Sequence, residues 1–127
     1  MRAFSLIETV ICCFILSLVL LALFHLYPSA AVAIHRGGAL MQADIIADSA
    51  LERAKAMPFD RLAPGEKTVL DPVERVGTTY YPVLEVFEVA GYNSPWLRSL
   101  RTTVSWKEGG RQRQVVHEIW VHKIQLE

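Results

Sequence analysis

Apolar and polar positions divide this chain into three stretches with different periods. From Thr9 to His35 there is no Asp, Glu, Lys or Arg, and Leu, Ile, Val and Phe dominate. Val10 to Ala33 alone exceeds the roughly 20 apolar residues that a helix needs to cross the hydrocarbon layer of a membrane. From Ala39 to Met57 the pattern changes to a helical period. Ala39, Ala43, Ile46, Ala47, Ala50, Ala54 and Met57 recur at three- and four-residue steps, while Asp44, Asp48, Glu52, Arg53 and Lys55 fall largely on other faces. That predicts an amphipathic helix with a narrow, alanine-lined stripe, against which a sheet or another helix can approach closely. Pro58 ends it, because a residue before proline is biased away from the helical region.

Beyond Pro58-Phe59-Asp60-Arg61-Leu62-Ala63-Pro64-Gly65, read as a loop with Phe59 and Leu62 tucked under a sheet, the period becomes two. Strands are predicted at Lys67–Leu70, Thr78–Val89, Leu97–Lys107 and Arg111–Ile124. Pro82 marks an edge or an irregularity in the second of these. Leu100, Thr102, Val104 and Trp106 share one face. Val115, His117, Ile119 and Val121 share another, opposite Val116 and Trp120. Glu108-Gly109-Gly110 supplies a hairpin turn. The expected fold is α+β: a long N-terminal helix, hydrophobic and then amphipathic, packed on an antiparallel β-meander of three to four strands.

Charge sharpens the division. The chain of 127 residues has 13 Lys/Arg and 13 Asp/Glu, and all but Arg2, Glu8 and Arg36 lie after residue 36. The C-terminal portion is an ordinary mixed-charge domain of about 90 residues, enough for a small core only. It has no basic stripe, so nucleic acid is not an expected partner. It also has no cysteine; Cys12 and Cys13 both sit in the apolar run as small apolar filler. Arg2 and the initiating amine on the short side put the N-terminus in the cytoplasm and the head outside.

The residues leave three readings of the apolar run: a cleavable secretory signal cut near Ser29 to Ala33, a lipoprotein signal, or a retained helical anchor. The run is longer than an ordinary signal core, and Cys12 precedes its bulk.

Catalytic chemistry finds no constellation. His117 and His122 are five apart on a strand and point to opposite faces, which argues against a shared metal. His25 reads as a polar residue of a helix contact. Trp96 and Tyr92 lie in a loop, and Tyr80-Tyr81 read as strand packing. The charges of the amphipathic helix, including a repulsive Asp48/Glu52 pair at i,i+4, read as a solvated face. No enzyme activity, cofactor or metal is expected.

One string carries a family resemblance. Phe4-Ser5-Leu6-Ile7-Glu8, opening an apolar helix, resembles the N-terminal signature of type IV pilins and type II secretion pseudopilins. Leu100 to Trp106, Gly109-Gly110 and Gln114 to Lys123 resemble the closing hairpin of minor pilins, the pilus "modification" type and the I-type secretion pseudopilin. The resemblance implies a leader of residues 1–3, a membrane and filament-core helix over 4–34, an amphipathic helix over 35–57 and a β-sheet head over 58–127. It implies cleavage by prepilin peptidase between Ala3 and Phe4, with N-methylation of Phe4. Ala3 stands where the family pattern has Gly. Glu8 matches the family's assembly glutamate.

Implied partners are other pilin or pseudopilin subunits, prepilin peptidase, an inner-membrane assembly platform and, before assembly, membrane lipid. A continuous helix from Phe4 to Met57 would be on the order of 80 Å long, with Pro28 and Gly37-Gly38 as places for a kink or local unwinding.

Overall fold

The computed structural model describes residues 5–91 and 95–123. Ala3, Phe4, Tyr92 and Ile124 lie outside them. The chain forms two compact bodies, residues 1–38 and 39–127. One helix, α1 (Leu6–Lys55), contributes to both. Its backbone is α-helical through Pro28 and through Gly37-Gly38, so the unwinding expected there is not present. Proline removes one intrahelical hydrogen bond, and its neighbours on either side carry the helix past that gap.

In the second body, α1 lies on a five-stranded antiparallel sheet: β1 (Lys67–Val69), β2 (Val73–Arg75), β3 (Thr78–Phe87), β4 (Leu97–Glu108) and β5 (Arg111–His122). The order is β1-β3-β4-β5, with β2 also paired to β3. The fold class is the expected α+β; β2 is one strand more than the pattern predicted. It is joined to β3 by a two-residue hairpin, Val76-Gly77, with φ of 49° and 74°. Both values are those of a type I′ turn, which favours Asn or Gly at its first central position. Valine there hid the hairpin. Gly109-Gly110, with φ of 55° and 77°, makes the corresponding turn between β4 and β5 and was recognisable.

Pro82 lies in an internal strand, not at an edge. Its carbonyl accepts the Leu70 N–H at 3.1 Å, so its missing N–H faces the same side. That is the step between β1, which pairs with residues 83–85, and β2, which pairs with 78–80. The proline therefore sits where the ladder is already interrupted, and Asp71-Pro72 cross the gap on the other side.

The helix–sheet layer is built on small residues. Ala43 and Ala47 are fully buried, and with Ile46 they pack on Tyr80, Val104 and Trp106. One layer along, Leu51 and Ala54 meet Leu62, Leu84, Val86 and Leu100. Leu100, Thr102, Val104 and Trp106 are buried as the alternation predicted, and Val115, His117, Ile119 and Val121 lie half-buried beside them on the same face. Two positions differ from the expected stripe. Leu51 is buried, and Met57 is exposed because the helix ends at Lys55 and the chain turns before Pro58. Leu62 is buried under the sheet and Phe59 is half-buried, in a single 3₁₀ turn, Phe59–Arg61.

Candidate functional site

In the first body the candidate site is the helix surface itself. The window of α1 that is long and apolar enough to cross a membrane has no residue buried within the protein. Phe24 and Tyr27 are more than three-quarters exposed. Burying one such side chain is worth about 1.5–3 kcal/mol, so a surface of this extent calls for lipid or other helices around it. Its two serine hydroxyls, at Ser17 and Ser29, are turned back onto the helix backbone. Ser17 Oγ donates to the Cys13 carbonyl at 2.7 Å and Ser29 Oγ to that of Leu26 at 2.9 Å. Neither hydroxyl then presents an unmet polar group to an apolar surrounding.

Glu8 is the one acid in the first turn of α1. The Ser5 carbonyl accepts the N–H groups of Glu8 and Thr9 at 3.0 and 3.3 Å and so begins the helix. The exposed positive end of the helix dipole favours a carboxylate at this place. Ala3 and Phe4, the other two residues singled out in the sequence, lie outside the described residues. Cys12 and Cys13 are free and exposed on the same helix.

The second body contains a cluster that the residue pattern did not disclose. His117 on β5 points at α1, where Asp44 and Asp48 are one turn apart. Its Nε2 lies 2.9 Å from Asp44 Oδ1 and its Nδ1 2.8 Å from Asp48 Oδ1. The hydrogen bond to Asp44 is the leading influence raising the imidazole pKa, against partial burial, which lowers it; Asp48 raises it further. The helix acids are therefore not simply a solvated face. Asp48 is engaged by His117 and Glu52 by Lys55 at 2.8 Å, so the unfavourable Asp48/Glu52 spacing is relieved from both sides. The available signal was an inward strand position occupied by His opposite a helix with two aspartates at i,i+4.

Both ring nitrogens lie against carboxylate oxygens, so neither is directed at open space. Among the described residues no group of three His, Cys, Asp or Glu is arranged to hold a metal ion. His122 faces the other side of β5 and is exposed. Thr102, opposite His117 in the β4–β5 pairing, is fully buried, and its hydroxyl finds no hydrogen-bond partner among the described residues.

The outer face of the sheet carries a ladder of alternating charge. Lys67, Glu85, Arg101 and Glu118 stand opposite one another across β1, β3, β4 and β5. Lys67 pairs with Glu85 at 3.4 Å and Arg101 with Glu118 at 3.1 Å. Beside it Trp120 and Val116 are exposed. Lys123 reaches Asp60 at 3.1 Å and lies over the ring of Trp96.

No family model, curated protein or solved structure significantly matches the chain.

Proposed function

We propose that this chain is a minor pilin or pseudopilin, a structural subunit that joins a type IV pilus or a type II secretion or competence pseudopilus after prepilin peptidase has processed it. It contributes no catalysis of its own. Before assembly it crosses the bacterial inner membrane once, with its N-terminus cytoplasmic and its head outside. The observation that carries this reading is Glu8. It is a single acid in the first turn of an otherwise apolar, wholly exposed helix segment, directly after Phe4-Ser5-Leu6-Ile7.

Cleavage before Phe4 would create an ammonium at the head of an apolar helix. In a bundle of such helices that charge loses water, at a cost of several kcal/mol. A carboxylate from a neighbouring subunit at the depth of Glu8 answers it and fixes the axial stagger between the two chains. The small sheet domain on the second half of α1 then forms the outward head.

Mass spectrometry of the N-terminus, after expression with prepilin peptidase, tests the proposal. A chain beginning at N-methylated Phe4 supports it. An intact Met1 points instead to a single-pass anchored binding module that does not polymerise, and a start near Ala31 to Ile34 to a secreted β-domain.

A further inference from the structure

Among the described residues β5 is the last strand in the sheet and is paired on one side only. Its inward row, Val115, His117, Ile119 and Val121, is half-buried, whereas the inward row of β4 is buried throughout. Apolar contact therefore holds β5 on α1 less firmly than it holds β4. The polar contact at His117 is the counterweight. An imidazole lying 2.8–2.9 Å from a carboxylate oxygen at each nitrogen satisfies both contacts only when both nitrogens carry a proton. In the neutral form one nitrogen has a lone pair, and that lone pair then faces an anionic oxygen.

We propose that Asp44, His117 and Asp48 form a pH-dependent clasp that seats the edge strand β5 on α1 while the imidazole is charged and lets the strand loosen when the charge is lost. Among the described residues, the charges that act on His117 are those of Asp44 and Asp48, both on α1. The neighbouring inward positions of β4 are Leu100, Thr102 and Val104. Along β5 the nearest charge on that face is Arg113, which lies 3.6 Å from Glu108. The clasp lies wholly within residues 39–127 and does not depend on what surrounds the first half of α1.

The raised imidazole pKa sets the sign. The stabilisation is complete below the ordinary histidine value of about 6.5 and is lost as pH rises through the higher folded-state value. Loss acts first on β5, because an edge strand opens without disturbing the β3–β4 pairing.

Amide hydrogen exchange on the full chain in detergent micelles, compared at about pH 6 and about pH 9, tests this directly, with β3 amides as the internal reference. The expected result is a fall of at least about tenfold in β5 protection relative to β3 across that interval. His117→Gln, neutral at every pH, should show low β5 protection that does not change with pH. An unchanged β5-to-β3 ratio in the wild-type chain overturns the proposal, and so does an undiminished pH response in His117→Gln. A second readout needs no folded variant. Nitrogen-15 spectra of the wild-type chain at about pH 6.5 should show the His117 ring protonated at both nitrogens and exchange-protected. A His117 ring that is unprotected and titrates as an ordinary exposed imidazole would overturn it.

Discussion

The phenol of Tyr80, on β3, donates a hydrogen bond of 3.2 Å to the carbonyl oxygen of Ala39, on α1, 41 residues earlier in the chain. Alanine at 39 and 43 lets the ring lie close to the helix. Trp106 flanks it with a centroid separation of 5.7 Å. Burial, and then the negative charge of Glu108, push the phenol pKa up, so the hydroxyl stays protonated as a donor. Tyr80→Phe keeps the ring contact and loses only the hydrogen bond, which predicts a cost of about 1 kcal/mol. Tyr80→Ala empties the layer and should cost about 3–5 kcal/mol. Denaturant titration of the full chain in micelles, followed through the fluorescence of buried Trp106, measures both.

Val76 is a β-branched residue held at a φ of 49° and is 88% exposed. Left-handed backbone costs an ordinary residue about 1–2 kcal/mol, and no packing is lost by changing it. Val76→Asn converts the turn to Asn-Gly, the preferred type I′ pair. It should raise head stability by about 1 kcal/mol, with Val76→Gly gaining less because glycine also loosens the unfolded chain. The denaturation midpoint is the measure. A lower midpoint for Val76→Asn would mean that the valine side chain is held by contacts the isolated head does not show.

Much of this architecture was legible because its signals are periodic. The step-three and step-four alanines mark the face that meets the sheet, and the alternation in β4 and β5 assigns their inward rows residue by residue. The less periodic features were not legible. β2 is three residues long and follows an Asp-Pro step, so no alternation can accumulate, and Val-Gly is not a hairpin signal. Met57 continues the stripe in sequence but lies past the end of the helix. The His117 cluster joins residues about 70 positions apart. Sequence spacing could place His117 on an inward face, but not decide which helical turn it would meet. Glu8 stands out in the sequence for the opposite reason, as a single charge at the head of an apolar run.

Glu118 on β5 gives the head a second, acid-side dependence. Ser99 Oγ donates to its Oε1 at 2.6 Å, and the Arg101 guanidinium donates to its Oε2 at 3.1 and 3.2 Å. The Ser99 hydrogen bond, followed by Arg101, holds the carboxyl below the usual glutamate value. Its stabilising contribution is therefore present above the unfolded-state value, about 4.3, and disappears as pH falls through the lower folded-state value. Head stability should fall on acidification in this range. In Glu118→Gln that acid-side slope should be shallower. Midpoints measured between about pH 6 and pH 3 decide it, and an identical slope in the variant would assign the acid loss to other carboxylates.

On the proposed pilin reading Glu8 provides the decisive test, because membrane insertion and filament incorporation would make different demands on it. Insertion asks only for an apolar helix, and a carboxylate near the interface adds little to it. Glu8→Leu should therefore insert at least as well as wild type, judged by resistance to carbonate extraction. Incorporation, on the same reading, would ask for an answer to the ammonium that cleavage before Phe4 creates. Removing one member of a buried ion pair leaves the other charge uncompensated, at a cost of about 3–5 kcal/mol, and 3 kcal/mol is about a hundredfold in an equilibrium constant. Glu8→Leu and Glu8→Ala should both accumulate in the membrane and be depleted from sheared filaments by about that factor. Glu8→Asp keeps the charge but shortens its reach, and should fall between. Quantitative immunoblots of membrane and filament fractions separate these outcomes. Wild-type incorporation of Glu8→Leu would remove the charge pair from the assembly reaction.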